Sequence, residues 1–312
     1  MTPTDPNRPL LGLTVGLSVA QSEDASDPGF HHDELNRSVI RIAQRLLAAG
    51  ARIVVGHDWR RGGVMDTLLK SPAIEHAASI GKPGAWAITN LVPENRDAAP
   101  ISAEMEDYSQ AGIIHVENVG LPSWWESLAW DLPQEKEHRD TARAAVSVLH
   151  LRERMEQLCG ARICMGGKTR GFSGFYAGIL EEGWRTARNG KPLYVTALLG
   201  GAARLIAQAS GWQAEPRPED FESHFHPAKS REATYDLLVS KLNDEQRKLL
   251  PERHLYAVLS DPSLRARSGL ATDEWNLLIE APTADAVGVM AVRGLAQSRK
   301  PPNDSPMSSA TR

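Results

Sequence analysis

Residues Arg162 to Leu199 constrain the fold more than any other stretch. Ile163-Cys164-Met165 is a short apolar run that ends in Gly166-Gly167-Lys168. A loop leads to Gly178, where a helix opens with Glu181 and Glu182 in its first turn. Asn189-Gly190 caps that helix before a second run, Lys191 to Thr196. Strand, glycine loop, helix and strand in this order form the repeating unit of a parallel α/β sheet.

The rest of the chain repeats the pattern. Leu10–Ala20 reads as a first strand, apolar throughout as in a sheet buried on both faces. Its polar loop, Gln21–His32, falls at the carboxyl edge, where open α/β folds bind ligands. Asp33–Ala49 is amphipathic, with Asp33 as N-cap and Gly50 as its stop. Strands are predicted at Ala51–Gly56, Ala85–Thr89 and Gly112–Val119, a short helix or turn at Ile101–Ser109, and a long helix over Glu137–Gly160. The fold class is therefore α/β: a Rossmann-like, open, mostly parallel sheet. The expected division is an α/β domain over residues 10–212, a helical extension over 213–296, and disordered tails at 1–9 and 297–312.

Several residues at the predicted carboxyl edge suit a nucleotide. Gly166 and Gly167 tolerate positive φ and let backbone approach a ligand closely. The helix opening at Gly178 presents unpaired N–H groups and a positive dipole end, which favour phosphate. Glu181 and Glu182 lie one turn on, in reach of a sugar or base. A second glycine loop follows another strand: Gly56, then His57 to Arg61, then Gly62-Gly63 opening a helix. Arg60 and Arg61 can pair with phosphate. Ser18, near the end of the first strand, and Gly200-Gly201, after the last, complete the candidate set. Arg152 shares the apolar stripe of its helix with Ala145, Val148, Leu149 and Met155, so its charge needs a partner or a route to solvent.

Composition excludes other classes. With 312 residues and a net charge of −4, no basic patch dominates, and nucleic-acid binding is disfavoured. No apolar run reaches the roughly 18 residues that span a bilayer, and Met1–Pro9 has no secretory core. A cytoplasmic protein with no membrane partner is expected. Cys159 and Cys164 read as free thiols. His31-His32-Asp33 and His224-Phe225-His226 each lack the further ligands of a metal site, so neither metal nor cofactor is expected. Trp124, Trp125 and Trp130 sit in a Pro-bounded acidic segment and read as packing rather than base stacking.

Gly166-Gly167 followed by Gly178-Ile179-Leu180-Glu181-Glu182 resembles the Gly-Gly-x-Gly-Thr-x-x-Glu signature of the lonely-guy (LOG) phosphoribohydrolases. These belong to the SLOG superfamily, which also holds DNA-processing proteins of the DprA/Smf type and ligand-sensing domains of prokaryotic conflict systems. Gly63-Val64-Met65 matches a second LOG motif, Gly-Leu-Met. Arg152 and Met155 resemble the arginine and methionine that precede the glycines in LOG enzymes, with one fewer residue between them.

The resemblance implies a pocket for a nucleotide or NAD-derived ligand. It implies either a binding or sensing module or a hydrolase in which Glu182 and Arg152 stabilise charge on the ribose. The sequence departs from the enzymes. Met165 replaces the family proline, and Ile179 replaces the threonine. Lys168–Ala177 is a long insert, where Lys168 and Arg170 suit a larger or doubly phosphorylated ligand. These departures, with Gly200-Gly201 and the late Gly269–Asn276 segment, favour the sensor-type branch. A homo-oligomer is expected. Gly167→Ala and Gly178→Val are expected to leave folding largely intact while removing the ligand. Glu182 takes the motif position, so Glu181 should face a neighbouring element or solvent.

Overall fold

The structure, a computed structural model, describes residues 7–22, 32–56, 65, 68, 86–93, 108–132, 135–172, 174–213, 221, 223–227, 229–250 and 255–299. Arg60, Arg61, Gly62 and Gly63 lie outside the described residues, as do most of the Gln21–His32 loop and the tail beyond 299.

Six strands form one sheet in the order β4-β3-β2-β1-β5-β7. They are β1 (Thr14–Ala20), β2 (Arg52–Gly56), β3 (Ile88–Pro93), β4 (Ile114–Val119), β5 (Ala161–Gly166) and β7 (Leu193–Thr196). Every neighbouring pair is parallel. From β1 the chain builds outward to β4 on one side and to β7 on the other. The reversal between β1 and β5 is a topological switch point, the place in an open α/β sheet where ligands generally bind. The third strand lies further along the chain than the predicted Ala85–Thr89, because Leu91 and Val92 continue its buried run.

Strand alternation sorts the packing. Ile53 and Val55 of β2 belong to the main core with Leu35, Val39, Ile42 and Leu46 of α1 (His32–Ala48). Val54 points the other way and packs with Leu151 and Met155. Those residues lie on a long helix that follows α2 (Trp125–Trp130), namely α3 (Lys136–Leu158). Register places Gly16 of β1 beside both Val54 and Arg162, and Ser18 beside Cys164. These residues therefore face α3, and so does the next helix, α4 (Gly178–Arg188), whose Glu182 contacts Ser18. Trp125 is buried between α2 and α3, as packing predicts, while Trp130 is 82% exposed.

Beyond β5, Arg170–Phe172 forms a short strand β6 that pairs with β8 (His226–Pro227). Helix α5 (Gly201–Ala209) follows β7. The chain then runs through α6 (Lys229–Lys241), α7 (Asp244–Arg247), α8 (Leu255–Leu259), α9 (Ser263–Arg267), α10 (Thr272–Ile279) and α11 (Ala284–Ser298). Leu259, Trp275, Leu278, Ile279, Val287 and Leu295 share the main core with the sheet. The backbone N–H of Ala197 donates to the Ile279 carbonyl at 3.0 Å, and Tyr194 Oη donates to the Ser268 carbonyl at 2.6 Å. Arg299 donates to the carbonyls of Pro9 and Leu11, tying the two ends of the described chain together.

Because the late helices complete the core of the sheet, Leu278→Ala should lower unfolding free energy by about 2–5 kcal/mol, the usual cost of such a cavity. Denaturant melts should remain a single transition. A separate early transition for the C-terminal helices would contradict a shared core.

Candidate functional site

At the switch point three loops meet, and they meet through glycine. Gly166 has φ +68° and Gly167 φ +94°. A Cβ on Gly166 would sit 2.2 Å from the Ala20 carbonyl oxygen, and one on Gly167 would sit 2.3 Å from Ile179 Cγ1. Gly201, at φ +60°, brings the start of α5 against the Gly167 carbonyl, 2.2 Å from its own would-be Cβ. Backbone bonds lock the junction: Gly167 N donates to the Ala20 carbonyl at 2.8 Å, and Ala202 N to the Gly167 carbonyl at 2.9 Å. Ser22 Oγ donates to the Leu199 carbonyl. These glycines are demanded by packing within the protein. The expectation that Gly167 tolerates alanine is therefore corrected: positive φ and the Ile179 contact both oppose a side chain there.

Beneath the loops lies a buried chain of charges. Arg152, on α3, reaches under the start of α4, with its guanidinium 2.9 Å from the would-be Cβ of Gly178. Its Nη1 donates to Glu181 Oε2 and to the Tyr176 carbonyl at 3.3 Å, and its Nε lies 3.7 Å from Glu182 Oε1. Glu181 Oε1 accepts from Arg185 Nε at 3.0 Å and Nη2 at 2.9 Å. Glu182 Oε2 accepts from Ser18 Oγ and from Arg162 Nη1 at 3.1 Å. Arg162 continues to Thr186 and Glu156, and Glu156 to Asn189 and Lys191. Neighbouring residues of a helix point about 100° apart, which is why the adjacent carboxylates have different surroundings. The Glu181 side chain is 1% exposed and Glu182 13%.

The electrostatics follow from burial. Burial works against the Arg162 cation, yet the carboxylates of Glu182 and Glu156 beside it outweigh that cost, and its pKa is raised. Burial likewise opposes the Glu156 carboxylate, but Arg162, Lys191 and Thr186 prevail and its pKa is lowered. Burial pushes the Cys159 thiol up to about 11 and Cys164 up to about 12, so both are neutral, unreactive thiols at ordinary pH.

Of the candidates from sequence, Ser18, Arg152, Gly178, Glu181 and Glu182 are joined by these contacts, and Gly166, Gly167, Gly200 and Gly201 form the loop junction above them. Gly200 N is already used, donating to the Ala197 carbonyl at 2.9 Å. Lys168 faces solvent. Gly56 ends β2 beside Met155, and its carbonyl accepts from Asn90 Nδ2 at 3.1 Å. Among the described residues no cluster of three or more His, Cys, Asp and Glu can hold a metal, and no helix is long and apolar enough to cross a membrane. Sequence reading missed Arg162, Glu156 and Arg185. A signal existed for the first: an arginine in a strand that is otherwise apolar, in a unit whose neighbouring strand carries glycines.

The model of the SLOG cluster2 family matches residues 9–274, and the chain belongs to that family. Comparison with curated proteins and with solved structures found no match.

Two outcomes follow from this geometry. Gly167→Ala should fold with a loss of about 1–3 kcal/mol, the cost of side-chain strain at positive φ. A thermal melt equal to that of wild type would contradict the close approach. Glu156 contributes stability above the ordinary glutamate value of 4.5, and loses it as pH falls through its lower folded value. Glu156→Gln should therefore be less stable at neutral pH and show a shallower loss on acidification. Parallel stability–pH curves for the two proteins would overturn that assignment.

Proposed function

We propose that this SLOG cluster2 protein binds an anionic nucleotide or NAD-derived ligand at the switch point and serves as a binding or sensing module. The observation that carries the reading is the Glu182 carboxylate, partly exposed at the carboxyl edge and held by Ser18 and Arg162 with Arg152 alongside. The contacting charged groups are Arg152, Arg162, Arg185 and Lys191 against Glu156, Glu181 and Glu182. Those charges nearly balance; what favours an anion at this edge is the pair of helix N-termini, of α4 and α5, that converge there. The support for a role as ligand sensor in a conflict pathway is the family resemblance.

Hydrolysis of the LOG type is the second reading. Glu182 Oε1, 3.7 Å from Arg152, is beyond hydrogen-bond range and leaves an acceptor for a ribose hydroxyl or water. One feature weighs against it: Ile179, which replaces the family threonine, lays hydrocarbon over Gly167 where the enzymes' hydroxyl would stand. The Gly167 N–H is spent on Ala20, so in either reading the phosphate would be held elsewhere on this edge, at the starts of α4 and α5.

Mass spectrometry of ligands carried through purification, then calorimetry with nucleoside monophosphates, NAD and its cyclic products, tests the reading. A binding module should bind one of them without releasing free base over hours. Glu182→Gln should weaken that binding by about 1.5–3 kcal/mol, as loss of a charged hydrogen bond does. Steady base release by wild type, abolished in Glu182→Gln with affinity retained, would overturn binding in favour of hydrolysis.

A further inference from the structure

Arg162 is 0% exposed and is the second residue of a strand whose other residues are small or apolar. A guanidinium is costly to bury, and hydrocarbon of similar size commonly fills such a place with no loss of stability. Its donors are divided by direction. Nε donates to Thr186 Oγ1 at 2.9 Å, and Nη2 to Glu156 Oε2 at 3.2 Å. Those two anchors are joined, Thr186 Oγ1 donating to Glu156 Oε2 at 2.7 Å. Glu156 is held in turn by Asn189 at 3.2 Å and Lys191 at 2.9 Å. Nη1 alone turns toward the carboxyl edge, to Ser18 Oγ at 2.8 Å and Glu182 Oε2 at 3.1 Å. Gly16 makes the room: a Cβ there would come 3.1 Å from Nη1 and 2.7 Å from Cys159 Sγ.

We infer that Arg162 is a positioning residue for Glu182: anchored on Glu156 and Thr186, it fixes with Ser18 which carboxylate oxygen is spent inside the protein and which is left for a ligand. Oε2 takes both Ser18 and Arg162, and Oε1 has only the longer approach to Arg152. The planar fork sets direction as well as charge, because three of its nitrogens meet fixed partners at once. A lysine there would supply the charge without the direction. Arg162, having no exposed surface, acts through Glu182 and does not touch the ligand. The inference rests on the ligand-binding reading for its meaning, and its test has one arm that needs no ligand.

In that arm, glutamate labelled at its carboxyl carbon is followed by NMR in the full chain, with Glu181 and Glu182 assigned from their Gln variants. Arg162→Lys, and Arg162→Met combined with Glu156→Gln to avoid stranding a buried carboxylate, should move or broaden the Glu182 signal and leave that of Glu181 in place. Ser18→Ala, a smaller change that keeps the buried charges intact, should act on the same signal. In the second arm, binding of adenosine monophosphate is measured by calorimetry. Each variant should weaken it about tenfold, the low end of what losing a ligand-orienting partner costs in metal sites. Ser18→Ala with Arg162→Lys should be no worse than the poorer single variant, since both act through one carboxylate. An unmoved Glu182 signal in the folded variants would overturn the inference, and so would wild-type affinity in Arg162→Met/Glu156→Gln. Failure of the wild type to bind any nucleotide would instead sink the ligand reading, while the Glu182 signal would still decide what Arg162 does.

Discussion

A buried guanidinium between two helices and two strands is the constraint on which this site depends. Arg162 contacts α3 through Glu156, α4 through Thr186 and Glu182, and β1 through Ser18. Taking these charges out of water is unfavourable for each group alone. It is tolerable here because the donors and acceptors are matched around the fork, with Lys191 and Asn189 closing the far side. Such a set is satisfied in one arrangement of α3, α4 and the sheet and in few others. Hydrocarbon packing would hold these elements together, but it would specify their relative placement less sharply.

Above the charges, the loops are placed by contacts that exclude side chains. Gly166 lies against Ala20, Gly167 against Ile179, and Gly201 against Gly167. The ends of β1 and β5 and the starts of α4 and α5 are thereby drawn to one point. Two helix N-termini converge there, each with a partial positive charge. Glycine at these positions is usually explained by the ligand. Here the protein's own atoms, backbone at Gly166 and Gly201 and the Ile179 side chain at Gly167, already occupy the space a Cβ would need, so the glycines build the edge whether or not a ligand is present.

Much of the sheet was legible because parallel strands buried on both faces leave continuous apolar runs, and β1, β2 and β5 fall close to the predicted places. The third strand was misplaced because Asn90 interrupts its apolar run. Its side chain is buried by donating to the carbonyls of Val55 and Gly56, a contact that sequence does not reveal. That Arg152 needs an anion was readable from helical spacing, since it lies in an apolar stripe; that its hydrogen bond goes to Glu181, with Glu182 only alongside, was not. For Arg162 only its burial was signalled, by an arginine in an apolar strand; its partners were not, because a strand places them on other elements. Gly16 is 146 positions away in sequence and adjacent only through the β1–β5 register. The role of the late helices escaped for the same reason: α10 meets β7 through Ile279, and no local pattern announces it.

The adjacent carboxylates show how one helix turn serves structure and site together. Glu181 is enclosed by Arg152 and Arg185, and Arg185 also donates to the Leu249 carbonyl at 2.6 Å. Glu182 is held by Ser18 and Arg162 at the open edge. Arg152 approaches both, by Nη1 to one and Nε to the other. Through Leu249, Arg185 reaches the segment that follows α7. The carboxyl edge and the C-terminal helices are therefore joined by three consecutive contacts through a buried carboxylate. In a low-dielectric interior, the strength of each such contact depends on the geometry of the next.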